Sequence, residues 1–80
     1  MTELEKQKCH KLMQEGIKNG KEAQDIFKRT NISEVQMRFA DQKQGYAQGI
    51  NQALACIGYS HPDMKMLWDV IWIGWSYERR

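Results

Sequence analysis

The stretch NISEVQMRFADQKQGYAQGINQALACIG, from Asn31 to Gly58, decides the fold class. At about 100° per residue its Ile32, Val35, Phe39, Tyr46, Ile50, Ala53, Leu54 and Ile57 fall within about 120° of one another, the mark of a long amphipathic helix with one apolar stripe for the core. Asn31 with Glu34 three residues later reads as a helix start, because such a pair satisfies backbone donors left open in the first turn. The helix is therefore expected from Ile32. Gly58, just past the last apolar position, is the residue type that closes a helix in the left-handed conformation. Two interior glycines, Gly45 and Gly49, each cost about 1 kcal/mol relative to alanine. With Ala53 they lie four apart and predict a small-residue edge along which another helix approaches closely. A break within Asp41 to Gly45 is the competing reading.

Toward the N-terminus, Thr2 and Glu5 form a capping box, so a helix starts at once. Its apolar positions Leu4, Cys9, Leu12, Met13 and Ile17 spread over a broad arc, and Gly16, Asn19 and Gly20 predict an end near Lys18. Ala23, Ile26, Phe27 and Thr30 then follow the spacing of a short second helix. Toward the C-terminus, Ser60, His61, Pro62 and Asp63 read as a helix start, since proline in the first turn loses no needed donor. That last helix is expected from about Pro62 to Tyr77. The reading is all-α: a compact four-helix arrangement of helix, short helix, long helix and tryptophan-rich C-terminal helix, in one domain spanning residues 1–80.

The final helix is apolar almost all round. Met64, Leu67, Trp68, Ile71, Trp72 and Trp75 share one face, Met66, Val70, Ile73 and Tyr77 the other, and Lys65, Asp69 and Ser76 make a thin polar strip. Three tryptophans, each able to hide roughly 150–250 Å², match the largest apolar patch of a typical monomer. An oligomer is the expectation, with Trp68, Ile71, Trp72 and Trp75, and Val70, Ile73 and Tyr77 behind them, as interface residues; the competing reading makes the tryptophan face the core of the single chain and leaves the second face half-covered.

Composition sets the outer limits. A chain 41% hydrophobic and 28% charged has a globular rather than a disordered composition. A net charge of +2, with twelve basic residues scattered among ten acids, gives no basic face and disfavours nucleic acid as a partner. Met1 to Lys6 has neither the basic leader nor the apolar run of a secretory signal, and Cys9 and Cys56 read as free thiols; the expected location is cytoplasmic. Met64 to Trp75 is too short and too charged for a membrane span, which needs roughly 20 residues.

Candidate chemistry is sparse. Lys43 lies one turn from Phe39 and Tyr46, so it either snorkels to the surface or holds an anion against aromatic walls. A small anionic ligand, if bound, is expected at Lys43, Tyr46 and Gln36 with Arg38 near. Cys9, His10, Cys56 and His61 are zinc-type ligands without zinc spacing, because adjacent Cys9 and His10 point about 100° apart on a helix. No metal, cofactor or catalytic set is expected. A helix-turn-helix over Lys21 to Gln52, with Gln36, Arg38, Gln42 and Lys43 reaching bases, fits poorly: its turn lacks the usual glycine and its second helix is too long.

In size and style the chain resembles the small helical accessory inhibitors that phages and mobile elements encode against host defence systems. The likeness covers no particular residue and transfers no site. The expectation is a non-enzymatic regulator or inhibitor that self-associates and docks on a host protein or sequesters an anionic ligand. A small helical DNA-binding transcriptional regulator is the alternative.

Overall fold

The capping box at Thr2 forms as its residues dictate. Glu5 N–H donates to Thr2 Oγ1 at 3.2 Å, and Thr2 N–H donates to the Glu5 carboxylate at 3.1 Å. From there the computed structural model, which describes residues 1–29 and 31–78 and side chains as far as Ile71, shows three helices. They are α1 (Glu3–Lys28), α2 (Glu34–Cys56) and α3 (Met64–Glu78), and no strand occurs among the described residues.

The expected four-helix count is therefore corrected to three. The first two expected helices are one: α1 runs unbroken through Gly16, Asn19 and Gly20. The glycines do not stop the helix because a different need places them there. A Cβ at Gly16 would lie 2.9 Å from Leu67 Cδ1 and 3.2 Å from Ile50 Cγ2, and one at Gly20 would overlap the side chain of Val70. They let α3 press against the backbone of α1.

The connection between α1 and α2 turns at Asn31, which adopts a left-handed φ of 57°, a conformation asparagine tolerates better than most residues. The cap of α2 falls two residues later than Asn31. Ser33 Oγ accepts from Gln36 N–H at 3.2 Å, and Gln36 Oε1 accepts from Ser33 N–H at 3.4 Å. The helix closes where Gly58 was expected to close it. Gly58 has φ +77°, its N–H donates to Ala55 O, and Tyr59 N–H reaches back to Leu54 O at 3.0 Å, the paired bonds of a Schellman ending. Pro62 and Asp63 form a turn ahead of α3, and Asp63 O accepts from Leu67 N–H.

Pairing runs antiparallel between α1 and α2, with Gly16 beside Ile50 and Glu22 beside Lys43, and parallel between α1 and α3, with Gly16 beside Leu67 and Gly20 beside Val70. The result is an up-down-up rod of 46 × 18 × 16 Å. Cys9, Met13, Ile17, Ala47, Ile50, Leu54, Leu67, Val70 and Ile71 form its main core; Ala23, Ile26 and Ala40 make a smaller cluster with Phe27 and Ile32 beside it. Two glutamines are buried in this apolar setting. Gln24 of α1 donates to Val70 O and Gln44 of α2 to Ile71 O, both at 3.1 Å, so two side-chain amides grip consecutive carbonyls of α3 from two sides. No buried side-chain polar atom among the described residues lacks a partner, as native interiors require.

The largest departure concerns the stripe of α2. Ile50 and Leu54 are core, but Val35, Phe39, Tyr46 and Ile57, expected beside them, are 76%, 52%, 50% and 58% exposed. The buried face is Ala40, Gln44, Ala47, Ile50 and Leu54, a set rotated about 100° from the expected one. Met13, Ile17 and Leu67 already fill the centre, which leaves α2 room mainly for small side chains. The expected small-residue edge is displaced likewise. A Cβ at Gly45 or Gly49 would meet nothing within 4 Å, whereas Gly16 and Gly20 serve the close crossing.

Two expectations follow for thermal denaturation. Gly20→Ala should lose about 1–3 kcal/mol, since stiff, β-branched Val70 cannot yield cheaply, whereas Gly45→Ala should gain up to about 1 kcal/mol from helix propensity; equal effects would contradict the crossing. Gln44→Glu places a carboxylate against a carbonyl oxygen and should lose at least about 3 kcal/mol at neutral pH. Part of that loss should return in acid, where a protonated glutamate again donates to Ile71 O.

Candidate functional site

Scattered apolar side chains in water are ordinary, whereas a contiguous line of large ones marks an interaction surface, so the outer face of α2 is the natural place to look for function. Val35, Phe39, Tyr46, Ala53 and Ile57 are all exposed and lie within about 40° of one another around the helix. They run nearly its full length, roughly 34 Å for its 23 residues. The helix thus buries Ile50 and Leu54 with two alanines and a glutamine, and presents four other large apolar side chains. Beside the strip, residues 44–60 contain no charge at all, and depletion of charge is the compositional mark of an interface centre. Met1 of the N-terminus shares an open depression with Ile57 and extends the apolar surface at that end.

The sequence reading placed these side chains in the core. A second signal was present and weaker: Ala40, Gln44, Ala47, Asn51 and Leu54 repeat with strict four-three spacing, the seam geometry of closely packed helices. Size outranked spacing in the expectation, and the structure favours spacing.

The residues expected to hold an anion are only partly brought together. Lys43 Nζ lies 2.6 Å from Glu22 Oε2 and 4.7 Å from the centroid of the Phe39 ring. Its side chain is 18% exposed, so the ammonium is folded onto the surface and paired rather than offered to solvent. Gln36 is occupied in capping α2, and Arg38 pairs with Glu34 at 3.2 Å. Gln36 and Lys43 share a shallow depression of about 340 Å³ with Phe39 and Arg29, but Glu22 and Asp25 line it too and oppose an anion. Tyr46 stands on the exposed strip and lines neither this depression nor the one Arg38 borders.

Of the expected interface residues on α3, Val70 and Ile71 lie inside the core of the single chain, a correction whose cause is the crossing at Gly20. Trp68 is 48% exposed, with Met66 exposed near it. Trp72, Ile73, Trp75 and Tyr77 fall outside the side chains described.

Cys9, His10, Tyr59, His61 and Asp63 gather at the turn between α2 and α3. The rings of His10 and His61 are 4.9 Å apart, Tyr59 stacks with His61 at 6.3 Å, and Asp63 N–H donates to His61 Nδ1 at 3.1 Å. Burial, aided by the nearby Cys9 and Asp63, raises the pKa of Tyr59, which keeps its hydroxyl protonated 3.5 Å from His10 Nδ1. The cluster reads as packing that pins the turn to α1. Cys9 is buried, and Cys56, the last residue of α2, is exposed. Among the described residues no trio of His, Cys, Asp or Glu is placed to hold a metal, and no helix is long and apolar enough to cross a membrane.

No protein-family model matches this chain, and no curated protein or solved structure is significantly similar to it.

The Glu22–Lys43 pair ties α1 to the rim of the strip, and the hydrogen bond from Lys43 holds the Glu22 carboxyl below its ordinary pKa. A lowered carboxylate pKa stabilises the fold above the ordinary glutamate range and loses that contribution as pH falls through the lowered value. Wild type should therefore melt above Glu22→Gln at neutral pH, with the gap closing below about pH 4.3, the unperturbed glutamate value. A gap that persists in acid would show that the pair contributes by packing alone.

Proposed function

We propose that this chain is a small non-enzymatic binding protein that regulates or inhibits by covering a protein surface, and that the outer strip of α2 is its working face. One observation carries the reading: four large apolar side chains, each at least half exposed, stand in a single line on α2. Aromatic anchors in such a line supply most of the binding energy once a partner excludes water from them. Phe39 and Tyr46 have that role here. Lys43, flattened on Phe39 and held by Glu22, forms a polar rim that needs little rearrangement on docking. Met66 and Trp68 on α3 give a lesser apolar surface.

Such a protein acts by occlusion. It needs no cleft and no group of unusual acidity, and a rod 46 Å long covers a wide stretch of a partner for its mass. The role matches that of the small accessory inhibitors that this chain resembles in size and style.

Phe39→Glu combined with Tyr46→Glu should lose about 1.5–3 kcal/mol, since about half of each ring is buried, so retention is compared at a temperature where circular dichroism shows both proteins helical. Immobilised wild type should retain specific proteins that the double variant does not, as read by mass spectrometry of the retained fractions. Identical retained sets would reject the strip as the working face.

A further inference from the structure

Building on that reading, we infer that the strip is self-complementary and that its occupant is a second copy of this chain, laid antiparallel along α2 about a two-fold axis at Tyr46. The spacing of the strip is the first ground. From Val35 to Phe39, Tyr46, Ala53 and Ile57 the steps are four, seven, seven and four residues. This order is the same read in either direction. Reversing one helix against another about Tyr46 therefore sets Val35 against Ile57 of the second copy, Phe39 against Ala53, and Tyr46 against Tyr46, each twice or on the axis. In an isologous dimer residue i meets j and j meets i, and with this order the same strip positions pair with one another.

Shape agrees with the register. The bulky Phe39 ring meets the smallest member of the strip, Ala53, and the open flank at Gly49, where a Cβ would touch nothing within 4 Å, leaves space beside it. The two Tyr46 rings meet on the axis, where offset stacking is favourable. Val35 and Ile57 close the two ends.

Charge selects the direction. All the charges of α2 lie in its first half, at Glu34, Arg38, Asp41 and Lys43, and residues 44–60 carry none. A parallel pair would lay the two charged halves side by side, with Lys43 of each copy toward the flank that carries Arg38 of the other, cation toward cation. An antiparallel pair lays each charged half on the uncharged half of the second copy. The footprint sets the strength. A strip roughly 34 Å long and 10 Å wide is smaller than the roughly 800 Å² per partner of a standard stable interface, so the pair should form and dissociate with concentration.

Two measurements decide it. In sedimentation at increasing concentration the wild type should approach twice the 9.5 kDa chain mass. Tyr46→Glu and Tyr46→Lys should each stay monomeric, and an equimolar mixture of the two should recover the doubled mass, because only a symmetric pair sets position 46 against itself. For direction, Arg38→Cys should be joined to the native Cys56 of the second copy by a short bifunctional thiol reagent. Arg38 and Cys56 share one flank of α2, and in this register they lie within about 3 Å along the axis, whereas two Cys56 thiols stand about 30 Å apart. Both residues are exposed, so the variant should fold. A wild type that remains monomeric, a dimer indifferent to Tyr46→Glu, or wild type joined through Cys56 to Cys56 would each overturn the pairing. None of these would disturb the broader docking reading, which fails only if the Phe39 and Tyr46 double variant retains the same proteins as wild type.

Discussion

Gly16 and Gly20 set the distance between α1 and α3, and the remainder of the architecture follows from that distance. With no side chain in the way, Leu67 and Val70 of α3 reach the backbone of α1, and the centre of the rod fills with Met13, Ile17, Leu54 and Leu67. The close crossing also brings α3 within reach of two amides. Gln24 and Gln44 donate to the carbonyls of Val70 and Ile71, bonds that a wider separation would break. A carbonyl oxygen accepts two hydrogen bonds, so this clamp adds to the helical ladder without replacing it. Register is what it provides: apolar contacts tolerate sliding, and a pair of directed bonds from two different helices does not.

α2 completes this centre with Ile50 and Leu54. The inward face of α2 is largely small, with Ala40 and Ala47 wholly buried and Gln44 nearly so. Four other large side chains face outward, and Val35, Phe39, Tyr46 and Ile57 stand in water. The exposed strip is thus linked to the glycine crossing through packing density, since a protein interior has no spare volume to take these side chains back. The energy of burying them becomes available for association. In this view fold and exposed strip are two results of one arrangement of side-chain sizes.

The polar chemistry fits around this scheme. Lys43 lies flat on Phe39 and is neutralised by Glu22, and Arg38 is paired along its own helix. The histidines and Tyr59 stack at the α2–α3 turn and fasten it to α1. The side chains most able to do chemistry are thereby engaged in holding the edges of the rod.

By itself the sequence determined what depends on near neighbours. Helical class, the capping box at Thr2 and the stop at Gly58 all follow from residues within a turn or two of one another. The helix count and the location of the exposed strip did not, because they depend on contacts between residues tens of positions apart. Gly16 and Gly20 have the local character of a helix stop, and only the presence of Val70 across the interface makes them a crossing point. The α2 stripe carried two readable faces, one of large side chains and one of small side chains at seam spacing. Which of them turned inward was decided by the volume that α1 and α3 left free, a quantity no single helix contains.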